Sequence, residues 1–303
     1  MYVAVKDKLM TGSVVLVGGS WGSEMARRGM RPDKVFWTSP ANISRPHLVR
    51  AITRDYALRG ADVILANTFS TSPLLMASLG RLEDMRHWDH TAVSLSMEAL
   101  MEAPPRKVAL AGSFSIAGPL PFDSPLLPRL NEKELAALYA EKAATLAEAG
   151  CDLIYMERIG GLCRSQPAVE AAVATGLPVW VELALSRSGD GALHGSGPGG
   201  WRLADMAASL MSTGAEACIL SHHDPQVLSE AIETIRAAWA GPIGVNLTSA
   251  STDRVQWQQE PLPPEDLATE AGHWRHQKVS IFCASRGAGP EHLGALRERF
   301  PDG

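Results

Sequence analysis

The sequence is short of several things that would each have pulled the reading in a different direction. No stretch reaches the roughly 18 consecutive apolar residues that a membrane-spanning helix needs. The opening MYVAVKDKLMTGSVVLVGG carries Lys6 and Lys8 but no uninterrupted apolar h-region, so a cytoplasmic location is expected. No basic block is present: 28 Lys plus Arg stand against 33 Asp plus Glu, a net charge of −5. Nucleic acid and an anionic membrane surface are therefore not expected as partners. The four cysteines, Cys151, Cys163, Cys218 and Cys283, form no CxxC pair, which excludes both a disulfide framework and a zinc knuckle. The GxGxxG dinucleotide fingerprint is missing, as are internal repeats and low-complexity segments. What remains is a 303-residue chain, 46% apolar and 20% charged, with the profile of a soluble globular protein.

Short aliphatic runs alternate with longer helical patterns. Eight strand candidates can be counted: Val14 to Gly18, Val63 to Asn67, Val108 to Ser113, Leu153 to Glu157, Val179 to Leu183, Ala217 to Ser221, Ile243 to Asn246 and Val279 to Cys283. They are continuously apolar rather than alternating, which suits parallel strands covered on both faces. Helical patterns run over Arg45 to Arg59, Asn131 to Gly150, Pro167 to Thr175, Ala204 to Thr213 and Pro225 to Trp239. Three of the connections read Gly60-Ala61-Asp62, Gly150-Cys151-Asp152 and Gly214-Ala215-Glu216, a helix-ending glycine followed by entry into a strand. Asn131 with Glu134 reads as a capping box. Eight such units predict a TIM-type (β/α)8 barrel forming one domain over residues 1–303, with a doubly wound open sheet as the alternative. The stretches around Gly118 to Pro128 and Gly189 to Gly200 are expected to be long βα loops.

In such a barrel the chemistry sits just after each strand. Those positions hold Gly18-Gly19-Ser20, Asn67-Thr68, Ser113, Glu157-Arg158, Glu182, Ser221-His222-His223, Asn246 and Cys283 to Arg286, a polar set that a purely structural barrel does not need. Gly19 and its neighbours can let backbone N–H groups approach a ligand closely, though a tight turn needs glycine in any case. Glu157 is expected at the barrel mouth, with a salt bridge to Arg158 or Arg164 as the competing reading. The pairs His87/His90 and His273/His276 are expected on exposed helix faces.

These strand-end residues resemble the homocysteine S-methyltransferase family of zinc-dependent barrels. The likeness covers nearly the whole chain. It is carried by Gly18-Gly19-Ser20-Trp21-Gly22-Ser23-Glu24-Met25 for the family's DGGxGTEL and by Asp62 to Phe69 for its DVITTNTY. Ala111-Gly112-Ser113 with Gly118-Pro119, Asp152 to Glu157, Thr175 to Val181 and Pro290-Glu291-His292-Leu293 complete the series. The resemblance implies a methyl-transferring enzyme that moves a methyl group from a sulfonium or betaine-type donor to a thiol such as homocysteine. It implies substrate contacts from Gly19, Ser20, Glu24, Asn67 and Thr68, and a tryptophan, here Trp37, lining the site of the positively charged donor.

The departures matter as much. The family holds Zn²⁺ with three cysteines, and the resemblance aligns their positions with His222, Ser285 and Arg286. None is cysteine, so no cofactor is expected and zinc is in doubt; a displaced site built from His222, His223 and Cys283 is the remaining zinc reading. The aspartate that contacts the amino group of homocysteine is replaced by Gly18, while its partner carboxylate is retained as Glu157. Catalysis is accordingly expected from Glu157, from Arg286 supplying positive charge, and from His222 as general base, with Ser285 at the substrate. The alternative is a catalytically altered family member that binds a small amino-acid-like or onium ligand, or acts on a non-thiol substrate. Partners are expected to be small molecules, with homo-oligomerisation left open.

Overall fold

The computed structural model describes residues 1–103, 107–120, 124–197, 201–247, 263–284 and 287–301. Parallel strands β1 (Val15–Gly18), β2 (Val63–Leu65), β3 (Ala109–Phe114), β4 (Leu153–Ile159) and β5 (Val179–Arg187) are joined in order. A short β6 (Leu193–Gly195) returns antiparallel on β5 as a hairpin. Then β7 (Ala217–His222), β8 (Ile243–Leu247) and β9 (Ile281–Ala284) continue the parallel sheet, and β9 pairs with β1. The eight parallel strands therefore close on themselves into the expected barrel, and the open-sheet alternative falls.

All eight predicted strands are present, with ends shifted by a few residues. The segment from Gly189 is a hairpin strand rather than a plain loop; its residues 198–200, and residues 121–123 of the earlier loop, lie outside the described residues. Helix α8 (Leu162–Val173) begins earlier than predicted, so Pro167 lies inside it rather than at its start. As the sixth residue of the helix it lies past the four N–H groups that have no intrahelical partner, so one i→i−4 hydrogen bond is forgone there. The capping box forms at α7 (Glu132–Glu148), where Asn131 accepts from the Glu134 backbone and Glu134 accepts from the Asn131 backbone.

Strand alternation builds two cores. Outward residues such as Leu16, Ile64, Leu110, Ile154, Val181, Leu220 and Phe282 pack beneath the surrounding helices. Inward residues such as Val15, Val17, Val63, Ala111, Tyr155, Trp180, Ile219 and Ile281 fill the barrel. A helix that the sequence reading missed, α1 (Tyr2–Met10), closes the barrel floor: Val5 is buried in the inner cluster, and Tyr2 and Leu9 pack against it. Its apolar residues follow helical spacing but are broken by lysines, so the sequence alone does not mark it as a helix.

The three predicted glycine turns anchor this plug. Gly60, Gly150 and Gly214 take φ of 95°, 100° and 104°, and each leads to an acid at a strand entry. Lys8 reaches Asp62 at 2.8 Å, the Met1 amino group reaches Asp152 at 2.8 Å, and the Tyr2 hydroxyl donates to Glu216 at 2.8 Å. Asp62 also accepts from the Leu16 backbone at 2.9 Å, and Asp152 from the Leu110 backbone at 2.9 Å. These turns thus fix helix ends, strand entries and the floor together.

Candidate active site at the barrel mouth

Above the apolar filling, the same alternation turns polar. Leu65 is followed two residues on by Asn67, Ala111 by Ser113, Tyr155 by Glu157, Trp180 by Glu182 and Ile219 by Ser221, while Asn246 is in register with Cys283 and Ser221. Ser113, Glu182, Ser221 and Asn246 are each less than 5% exposed. The Ser113 hydroxyl donates to Glu157 Oε2 at 2.5 Å. Next to Glu157, Arg158 adopts φ of 59° and the β4–β5 register slips between Met156 and Ile159, which bends the strand end.

Below this layer the Tyr155 hydroxyl lies 3.0 Å from Glu182 Oε2 and 3.6 Å from Cys283 Sγ. Burial pushes the Cys283 thiol far above its ordinary value, and Glu182 and Glu157 add to the shift. The Tyr155 phenol is raised for the same leading reason. Burial therefore holds the free Cys283 thiol in its protonated form, which disfavours it as a nucleophile.

The residues predicted from the sequence do not all converge. Glu157 stands at the mouth, where the Ser113 hydroxyl donates to it. Gly19 takes φ of 133° and a side chain there would collide with Leu65, while the Ser20 N–H donates to the Tyr56 hydroxyl at 3.1 Å. A Cβ on Gly18 would lie 2.5 Å from the Tyr56 ring, so that ring fills the room an acid at this position would need. Trp37, at φ of 52°, lays its indole against Gly22 in the first turn of α2 (Trp21–Arg27).

Three predicted substrate contacts are committed to the fold. Glu24 is buried in ion pairs with Arg27 and Arg28. Asn67 accepts from Thr38 at 2.6 Å and donates to the Thr38 carbonyl and Asn42, which latches the 38–42 segment. Thr68 donates to the Ser113 carbonyl at 2.8 Å, and its own carbonyl accepts from Lys142, whose ammonium is fully buried against Asp89. A polar residue near a strand end can serve the loop instead of the ligand, and sequence spacing does not separate the two.

His222 sits at the end of β7. Its neighbours Cys218 and Leu220 face the outer core and Ala217 and Ile219 face the interior, so parity sends Ser221 inward and His222 outward. Its Nδ1 accepts the Asp224 N–H at 3.0 Å and its ring stacks on His223 at 4.3 Å. Burial, then the His223 charge, lowers its pKa. The structure does not bring it to Glu157. Ser285 and Arg286 lie outside the described residues. Tyr155 was missed because it lies mid-strand; the signal was its parity with Glu157.

Parity bears on the metal question as well. The resemblance aligns the first cysteine position with His222, whereas the inward residue at the end of β7 is Ser221, one position earlier. The donor set becomes two hydroxyls and a guanidinium, which does not fit zinc. The displaced site also fails, since His222 and Cys283 face opposite sides of the barrel wall, and among the described residues no group of three His, Cys, Asp or Glu could hold a metal.

Known proteins share this architecture. The homocysteine methyltransferase MmuM from Escherichia coli, in its metallated form, superposes with a TM-score of 0.79 over 98% of this chain and 99% of its own, at 19% identity. Betaine–homocysteine S-methyltransferase 1 of Mus musculus is 25% identical over 236 residues, 77% of this chain and 54% of its own length. The chain thus spans about half the length of that relative. Homocysteine S-methyltransferase 4 of Zea mays is 24% identical over 308 residues, 94% of this chain and 89% of its own. The family model described as homocysteine S-methyltransferase matches residues 15–300, and on that match the chain belongs to the homocysteine S-methyltransferase family.

Proposed function

We propose that this chain is an enzyme that transfers a methyl group from a sulfonium or betaine-type donor to a thiol such as homocysteine, without zinc. The observation that carries this reading is the inward Glu157, held by Ser113 in a polar layer above an apolar barrel filling. A carboxylate there suits the ammonium of an amino-acid acceptor. Methyl transfer is an in-line displacement: the thiolate sulfur forms a bond to the methyl carbon as the donor's C–S⁺ or C–N⁺ bond breaks, and the donor leaves neutral. The acceptor's proton is lost to solvent before transfer. What must be supplied is positive charge beside the thiolate, and Arg286, aligned by resemblance with a zinc cysteine, is the residue assigned to it. Trp37, aligned by resemblance with the tryptophan of the onium site, is the aromatic residue assigned to the cationic donor.

The test is calorimetric titration with homocysteine, S-methylmethionine, betaine and dimethylsulfoniopropionate, followed by a methyl-transfer assay on the binders and metal analysis of the active protein. Methylated homocysteine from metal-free protein is expected, with turnover down roughly tenfold or more in Arg286→Ala. Binding without transfer would favour the altered, ligand-binding family member; unchanged turnover in the variant removes Arg286 from the mechanism.

A further inference from the structure

Glu182 has no part in the reading above, yet it is the most deeply set acid of the mouth. It is 2% exposed, it follows inward Trp180 on β5, and among the described residues its hydrogen-bond partner is a neutral one, the Tyr155 hydroxyl at 3.0 Å. Both Glu182 and Glu157 act electrostatically on Tyr155 and Cys283, so the two carboxylates converge on the same small volume from adjacent strands. A buried carboxylate that neutral groups alone solvate lacks the counter-charge that ordinarily stabilises it. Residue 18 of β1 shares the outward side of Leu16, and a side chain there would meet the Tyr56 ring. Glu182, from β5, is the carboxylate that stands on the strand next to Glu157.

We propose that Glu182 is a specificity-determining residue: together with Glu157 it forms an anionic floor that takes a primary ammonium group on the acceptor. The inference rests on the mouth being the substrate site, as the proposed function has it. Carboxylates select cations that carry N–H donors, through short charge-assisted hydrogen bonds. A quaternary onium has no such donor and is recognised by an aromatic face, which here belongs to Trp37 against α2. The mouth is thereby polarised, ammonium towards β4 and β5 and onium towards the first βα turn. Tyr155 is a positioning residue that orients the Glu182 carboxylate.

The test compares three thiols by titration calorimetry: homocysteine, cysteamine, which keeps the ammonium but lacks the carboxylate, and 4-mercaptobutyrate, which lacks the ammonium. The wild type is expected to prefer the two ammonium-bearing thiols, and Glu182→Gln, a near-isosteric change, to bind them roughly 10- to 100-fold more weakly while holding 4-mercaptobutyrate at least as well. Tyr155→Phe, which keeps the ring and the charge, is expected to show a smaller loss of the same sign. Absence of the preference in the wild type, or its full survival in Glu182→Gln, as an internal pair between Glu182 and Arg286 would give, overturns the proposal. The methyl-transfer assay separates the two readings: preference erased by Glu182→Gln without transfer sinks the proposed function alone, and transfer with preference untouched sinks this inference alone.

Discussion

Both ends of the barrel are lined with acids, and they are treated in opposite ways. At the floor, Asp62 is met by Lys8 and Arg297, Asp152 by the Met1 amino group, and Glu216 by the Tyr2 hydroxyl. At the mouth, Glu157 receives the Ser113 hydroxyl and Glu182 the Tyr155 hydroxyl. The floor spends its acids on holding α1 in place. At the mouth each of these acids takes a hydrogen bond from a neutral hydroxyl, and neither is used to hold α1. The same residue type thus closes one end of the fold and, in the reading proposed above, equips the other.

Removing the floor should have the largest effect. Deleting residues 2–10 uncovers Trp180 and Val15 in the inner cluster and strips Asp62 of Lys8. The loss is expected to be on the order of 5 kcal/mol, read by chemical denaturation, since it combines exposing large buried side chains with breaking partly buried ion pairs. A stability within about 1 kcal/mol of the full chain would show that α1 merely rests on the barrel.

At the mouth, the one-residue shift from His222 to Ser221 can be decided by putting cysteines back. The triple variant S221C, S285C, R286C is expected to take up about one zinc per chain, whereas H222C, S285C, R286C is not, because residue 222 faces the outer core. Metal analysis after dialysis reads the difference. Equal zinc in both variants would refute the parity argument.

The smallest effect concerns His222 itself. Its pKa is lowered from 6.5 by burial and by His223, so the folded chain binds its proton less readily than the unfolded chain. Its contribution to stability is therefore complete above pH 6.5 and is lost as pH falls through the lowered folded value. His222→Gln should flatten the stability curve on that acidic side and leave it unchanged above neutrality. A curve unaltered by the substitution would place the imidazole in water.

The strands were legible because eight aliphatic runs buried on both faces leave little else for a chain of this length to build, and the glycine-acid turns marked where each strand is entered. Helix α1 was not legible, since its partner is the barrel floor, which exists only after closure. Among the mouth residues, Glu157 could be read from its strand-end position. His222 and Ser221 could not be told apart without knowing where β7 starts its alternation. Glu24, Asn67 and Thr68 carry the right chemistry near the right place, but Arg28, Thr38 and Ser113 claim their polar atoms first.

The Tyr56 ring that fills the space beside Gly18 has a further consequence. An acid cannot be placed at position 18 by a single substitution, because any side chain there meets a buried ring whose hydroxyl also accepts the Ser20 N–H. A side chain at position 18 demands a coordinated change at residue 56, which lies in a helix 38 positions away and has its own packing to satisfy. Residues 18 and 56 therefore behave as one steric unit: the ring excludes every side chain at position 18, whatever its charge.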